Sequence, residues 1–389
     1  MNKKETEVII QRIEKWFERL PALFIYDKQV LSAEFGWSKT PVPFGDRLTL
    51  DYKPIMEGEE WGQKWESAWF HLHGEIPKHW AGKSVAAELD FSGEGLVFDS
   101  DGKAIQSISN SSIWDPNFSR TRLPLNNPCA GGERIDLWVE AAANTLFGVF
   151  TDPDPEQESP RRHGWFDAKV ESMRFGIFDS ELWHLYLDAR ILLGFVKRLD
   201  EKSVRRSRAI LALNNCINAF ADDQKNSEKA RNFLKQELEK QASASDLNVS
   251  AIGHAHIDTG WLWPVRETVR KCARTFATQL DLIDKYPDYI FGASQPQHYQ
   301  FIKDHYPELY ERIKNAVKSE NWEVQGGMWV EADCNLISGE SMVRQVLHGK
   351  NFFRDEFGVE VDNLWLPDVF GYSAALPQIL KKSGINYFL

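Results

Sequence analysis

Apolar and polar positions change their period several times along this chain, and the changes divide it into segments. Over residues 3–20 the side chains Ile9, Ile13, Trp16, Phe17 and Leu20 recur at helical spacing, which predicts an amphipathic helix ended by Pro21. Mixed charges on its polar face favour docking onto the protein over binding to a membrane surface. From about 45 to 175 the period falls to two. Val85, Ala87, Leu89 and Phe91 alternate with other residues, as do Ile135, Leu137, Val139 and Ala141. Turn residues at Ser92-Gly-Glu-Gly95, Asn126-Asn-Pro128 and Ala130-Gly-Gly132 punctuate the runs, and Asp99-Ser-Asp-Gly102 reads as a hairpin turn. Short alternating strands with regular turns predict an antiparallel β-sandwich.

Helical spacing returns over 180–241, with one stripe of Leu182, Leu185, Tyr186, Ala189, Leu192 and Leu193 and another of Ile210, Leu213, Ile217 and Phe220. A Ser-rich stretch at 243–246 then marks a boundary. Beyond it strands and helices alternate: strands near 247–253, 289–293, 322–326 and 363–366, each followed by a helical pattern, the first opened by Pro264. Such alternation predicts a parallel sheet with right-handed crossovers. The expected architecture is therefore multi-domain. It runs from an N-terminal helix (1–24) to an antiparallel β-sandwich (25–178), a helical spacer (179–245), and an incomplete parallel (β/α) barrel-like domain (246–389). A length of 389 residues exceeds what one hydrophobic core sustains, which agrees.

Composition changes this picture little. With 42% hydrophobic and 26% charged residues the composition is ordinary globular, and disorder is not expected. A net charge of -11 without a basic run argues against nucleic acid as a partner. No GxGxxG or GxxxxGKS pattern follows any predicted strand, so nucleotide binding is not expected. The four cysteines (Cys129, Cys216, Cys272, Cys334) lack a CxxC pair, the apolar run at Val8-Ile-Ile10 is too short for a signal peptide, and no stretch of 18 apolar residues exists. A cytoplasmic protein outside the membrane is expected, so the sequon at Asn110-Ser-Ser112 reads as chance. A homo-oligomer is one of the states left open. The high tryptophan content brings one alternative: Trp61, Trp65, Trp69 and Trp80 read either as a carbohydrate platform or, preferably, as packing.

The chemistry concentrates at Ala251-Ile-Gly-His254-Ala-His256-Ile-Asp258-Thr-Gly-Trp261. Leu247, Val249 and Ala251 predict a buried strand leading in. If the chain stays extended, His254, His256 and Asp258 share one face. Imidazole and carboxylate together suit a zinc-type ion. Each of the four strands then places polar residues just past its C-terminal end: His256 and Asp258, Ser294 and Gln295, Glu331 and Asp333, and Asp368. In parallel barrels that end carries the active site. Taking His256, Asp258 and Asp368 as metal ligands leaves an open coordination position, as catalytic sites do. Trp261 and Phe370 would form apolar walls, and Asp333 and Gln295 would bind hydroxyls, a set suited to a sugar.

At these residues the sequence resembles glycoside hydrolase family 38, the class II α-mannosidases, and particularly their cytosolic type. The blocks that carry the resemblance are His254-Ala-His-Ile-Asp-Thr-Gly-Trp-Leu-Trp263; Gly326-Gly-Met-Trp-Val-Glu-Ala-Asp-Cys-Asn-Leu336 with Gly339-Glu-Ser341; and Leu366-Pro-Asp-Val-Phe-Gly-Tyr-Ser373. Trp61-Gly-Gln-Lys-Trp-Glu-Ser-Ala-Trp-Phe70 resembles part of the family's N-terminal sandwich. The resemblance implies a retaining exo-hydrolase of terminal α-linked mannose in oligosaccharides. One Zn2+ would be held by His256, Asp258 and Asp368 and would bind the 2- and 3-hydroxyls, with Asp368 doubling as nucleophile. The family's acid/base aspartate and a fourth, histidine ligand lie downstream of the Asp368 motif. The part from 246 onward also falls short of the roughly 250 residues of a whole barrel. An inactive N-terminal fragment is therefore expected, with Ile385, Tyr387, Phe388 and Leu389 exposed at an apolar edge. The competing expectations are a non-catalytic carbohydrate-binding fragment and a metal-dependent polysaccharide deacetylase.

Overall fold

The computed structural model describes residues 3–110, 119–144, 169–241 and 247–389; the sequon serines Ser111 and Ser112 and the whole of the expected boundary at 243–246 lie outside them. Helix α1 (Lys3–Arg19) comes first. The strands of the sandwich follow: β1 (Ile25–Val30), β2 (Ser32–Ser38), β3 (Tyr52–Pro54), β4 (Ser67–Glu75), β5 (Val85–Asp90), β6 (Glu94–Phe98), β7 (Ala104–Ser109), β8 (Arg122–Asn126), β9 (Arg134–Ala142) and β10 (Ser172–Phe178). They form two antiparallel sheets, six-stranded in the order β3-β2-β4-β9-β6-β7 and four-stranded in the order β1-β10-β5-β8.

The period-two pattern explains the pairing. Ala68, Phe70 and Leu72 of β4 lie opposite Ala141, Val139 and Leu137 of β9 and face the other sheet, where Ala87, Leu89, Met173 and Phe175 complete the core. Each large side chain buried this way contributes roughly 1.5–3 kcal/mol. The Asp99–Gly102 turn joins β6 to β7 as a hairpin. Trp61 and Trp80 lie in this core and Trp69 is buried on the sheet's other face, so the carbohydrate-platform expectation is overturned for these three rings. Trp61 and Trp69 also direct their indole N–H to the backbone oxygens of Phe91 and Val42.

Neither outer face of the sandwich is left to water alone. The helices α2 (Ser180–Arg198), α3 (Val204–Phe220) and α4 (Ser227–Leu238) share a core with α1 and with Ile25 and Ala86 of the four-stranded sheet. The helical block thus covers the four-stranded sheet. On the other side, Trp69, Leu96, Phe98, Ala104 and Trp138 of the six-stranded sheet join the core of the α/β unit. This is why β6 is buried on both faces, where simple alternation would leave one face wet.

The α/β unit contains β11 (Gly253–His254), α5 (Val265–Lys285), β12 (Phe291–Ala293), α6 (Pro296–His305), α7 (Pro307–Lys318), β13 (Trp322–Val324), α8 (Gly339–Phe357), β14 (Asn363–Leu364), α9 (Leu376–Lys382) and β15 (Tyr387–Phe388). Strands β11, β12 and β13 are parallel neighbours, and β14 pairs in parallel with β15. The end of β13 meets β14 through Gly327 N–H to Asn363 O and Gly326 N–H to the Asn363 side chain. The described residues form no closed barrel. The lead-in strand is also shorter than expected: Leu247 and Val249 are exposed and only Gly253 and His254 pair, because among the described residues no partner strand flanks 247–252. At the last strand Ile385 is buried, while Tyr387, Phe388 and Leu389 are exposed as expected.

Charge fastens the two halves. Glu94 of β6 accepts hydrogen bonds from Lys271 (2.6 Å), Arg274 (2.8 Å) and Asn144 (2.7 Å), and Arg270 donates to Glu267 at 2.5 Å and to Ser67 Oγ. Glu140 of β9 lies 3.7 Å from Arg270 and accepts from the Tyr306 hydroxyl. All six charged groups are buried, three of each sign. Burial alone would raise the Glu94 carboxyl, yet Lys271 and Arg274 hold it below its ordinary value.

Candidate metal centre

The site grows from the loops that follow β11, β12, β13 and β14. After His254 the chain turns so that His256 and Asp258 project together, and α5 begins beyond Pro264. Three polar side chains fix that loop from beneath. Gln295, 3% exposed, donates from Nε2 to Ile257 O and accepts from Thr259 Oγ1 and from Glu331 N–H. His298 lies 3.0 Å from the same threonine hydroxyl, and Thr268 donates to Thr259 O. Gln295 adopts φ 64, a strained conformation for a residue with a side chain, and this aims its amide into the loop. Burial pushes the His298 ring down to about 3, with the charge of His256 adding to the effect.

Asp368 reaches the same spot from the loop after β14. His256 Nε2 lies 3.3 Å from Asp258 Oδ1 and 3.3 Å from Asp368 Oδ2. One ligand atom from each of the three residues falls within 4.8 Å of the other two. Two residues separated by more than a hundred positions from Asp368 in sequence are thus brought together by the parallel sheet. All three remain partly open to solvent.

Glu331, from the loop after β13, completes the cluster. Its Oε2 lies 2.9 Å from His256 Nδ1, and its Oε1 accepts from Ser294 Oγ at 2.7 Å. Asp258 first, then Glu331, raise the His256 ring to about 10. The set fits a divalent cation. Three carboxylates gathered round a single imidazole demand positive charge, and His256, Asp258 and Asp368 are donors of the borderline kind that zinc accepts.

The structure places the other candidate residues as follows. His254 does not share the face of His256: its Nδ1–H donates to Gly292 O and its Nε2 accepts from Trp365, which fixes its tautomer inside the scaffold. Gln295 is committed to the loop and presents no amide to a substrate. Asp333 is exposed, and its Oδ1 caps the turn by accepting from the Asn335 and Leu336 N–H groups. Phe370 is 90% exposed and Trp261 52%, the latter set edge-on to Trp263, so they are open rings rather than closed pocket walls. Glu331 was visible as a polar residue past a strand, but nothing in the sequence ties it to a ring 75 positions earlier. Thr259 and His298 carried no signal at all.

Comparison with known proteins matches residues 246–389 to the glycosyl hydrolases family 38 N-terminal domain and residues 29–169 to the α-mannosidase jelly roll domain. Human α-mannosidase 2C1 is 34% identical over 99% of this chain and 37% of its own length. α-Mannosidase G of Dictyostelium discoideum is 35% identical over 99% of this chain and 36% of its own. An α-mannosidase of Saccharomyces cerevisiae is 29% identical over 87% of this chain and 32% of its own. The chain thus spans about a third of the length of these curated relatives. Both family descriptions are of glycosidases, which sets the deacetylase expectation aside.

Proposed function

Because this chain belongs to glycosyl hydrolase family 38, we propose that it carries the metal centre and nucleophile of a retaining exo-α-mannosidase acting on mannose-containing oligosaccharides. The relatives' names support the activity, and the joint approach of Asp258 and Asp368 to His256 carries the site. On this reading the α/β unit is the opening part of a (β/α) barrel. His256, Asp258 and Asp368 would hold one zinc ion, which when bound would grip neighbouring hydroxyls of the terminal sugar.

The chain's own residues then do the following. Glu331 holds His256 so that Nε2 faces the two aspartates, the orientation in which a ring nitrogen meets a metal. Asp368, half-open to solvent, attacks the anomeric carbon. The carbon–oxygen bond to the leaving group breaks as the bond to the Asp368 oxygen forms, and water later releases the sugar with net retention. A retaining enzyme needs a second carboxyl about 5–5.5 Å from the first to protonate the leaving oxygen. Of the carboxylates gathered here, Asp258 is read as a ligand and Glu331 is occupied by His256 and Ser294. The chain by itself is therefore proposed to lack turnover. Four free cysteines, all buried, accord with the cytoplasmic location proposed for it. Among the described residues no helix is long and apolar enough to cross a membrane.

Calorimetry of Zn2+ binding tests the core of this reading. D258N and D368N are each expected to weaken binding at this centre at least about tenfold. Unaltered binding in D368N would overturn it, since joint holding by two distant loops is what the reading rests on. Hydrolysis of an aryl α-mannoside by the isolated chain would refute the proposed lack of turnover.

A further inference from the structure

A second group of ligating side chains lies in the sandwich, remote in sequence from the centre described above. Glu34 of β2 stands opposite His71 of β4, and His73 of β4 stands opposite Asp136 of β9. His71 and His73 are two apart on one strand and therefore share a face, as do directly opposed residues. This is the face whose other end, at Trp69 and Ser67, docks the α/β unit. The two imidazole centroids are 3.8 Å apart.

One ligand atom from each of Glu34, His71 and His73 lies within 4.8 Å of the others. Nitrogen and oxygen ligands at about 2.1 Å from a tetrahedral ion are about 3.4 Å apart, so the group closes on an ion when its most distant atoms approach by about 1.5 Å or less, within reach of side-chain rotation. The rings are also pre-set. His71 stacks on Trp138 at 3.7 Å with an interplanar angle of 12°, which fixes its plane. Its Nε2 lies 2.9 Å from Asp136 Oδ1, and its Nδ1 faces Glu34 Oε1 at 3.7 Å. One ring nitrogen turned to a carboxylate and the other to a ligand cluster is the arrangement of metal-bound histidines.

We propose that Glu34, His71 and His73 form a second metal site, which takes a borderline-soft divalent ion such as zinc, with Asp136 orienting His71. Two imidazoles and one carboxylate leave a coordination position open to solvent. The ion would clasp β2 to β4 and, through Asp136, engage β9. The site is independent of the reading of Asp368. The competing arrangement, His71 held between Glu34 and Asp136 by contacts among the side chains alone, needs no ion.

The test uses the whole chain and Zn2+ alone, titrated by calorimetry in an H256Q/D368N background that disables the other centre. That variant is expected to bind one equivalent, and adding H73Q or E34Q should weaken this binding at least about tenfold. Glu34 is exposed, so E34Q decides the matter should H73Q fold poorly by circular dichroism. No binding in the H256Q/D368N background, or binding indifferent to both further substitutions, overturns the proposal. The single H73Q variant, which should keep one equivalent, reports on the Asp368 centre separately.

Discussion

Two residues beneath the candidate centre set testable expectations. Glu331 reaches the candidate ligands only through His256, so E331Q should leave the fold intact and lower Zn2+ affinity by about 10–100-fold, read by calorimetry. Unchanged affinity would reduce Glu331 to a packing role. His298 makes a pH prediction. Its ring ordinarily titrates near 6.5 but is pushed down to about 3 in the native state. Above the unfolded value both states are neutral and pH has no effect through this group. Between the two values the unfolded chain binds the proton and the native one does not, so stability falls as pH falls. The slope is at most about 1.4 kcal/mol per pH unit. Urea denaturation in the presence of chelator should show H298Q losing less stability than the wild type between neutral pH and pH 4, and equal losses would contradict the assignment. At this scale the sequence displayed the candidate ligands but not the residues beneath them. His256, Asp258 and Asp368 are titratable residues at strand ends, whereas the roles of Glu331 and Gln295 depend on which loop lies next to which.

Among the elements, α5 carries the most tension between rule and outcome. Its moment predicts one wet face, yet Glu267, Arg270, Lys271 and Arg274 are all buried against β6 and β9. Charged residues on a helix read from sequence as solvated, and only the presence of Glu94 and Glu140 on the facing strands makes their burial tolerable. Removing one partner should therefore be costly. E94Q leaves Lys271 and Arg274 short of a carboxylate, and a loss of about 3–5 kcal/mol in chemical denaturation is expected. A loss below about 1 kcal/mol would mean that water reaches the network. The helix α8 shows the opposite case, where sequence and structure agree. Ser338 caps its start by accepting from Ser341 N–H, and Gly358 ends it at φ 72. Gly349 lets it approach the loop after β13, since a Cβ there would come within 2.3 Å of Gly327 O.

Across the whole molecule the layers are stacked: helices, four-stranded sheet, six-stranded sheet, α/β unit. Each interior sheet is covered on both sides, so the sandwich and the α/β unit share a core rather than a linker. One consequence is cooperative unfolding. Tryptophan fluorescence and far-ultraviolet circular dichroism should report coincident urea transitions. Two separated transitions would show that the buried charges do not couple the halves. Another consequence concerns the site: Thr268, which holds the loop of His256 and Asp258, sits on α5 beside the residues that dock on the sandwich. The sandwich therefore steadies the candidate centre without contributing a ligand to it.

Local periodicity and turn chemistry were enough to determine the antiparallel sandwich, the helical blocks, the βα rhythm and the three ligand candidates, because each depends on residues a few positions apart. The pairing of Asp368 with His256, the burial of Trp61, Trp69 and Trp80, the part played by Glu331 and the meeting of Glu34 with His71 and His73 were decided only by the tertiary structure. Those relations join residues distant along the chain, and only the arrangement of strands in the sheets brings them within contact.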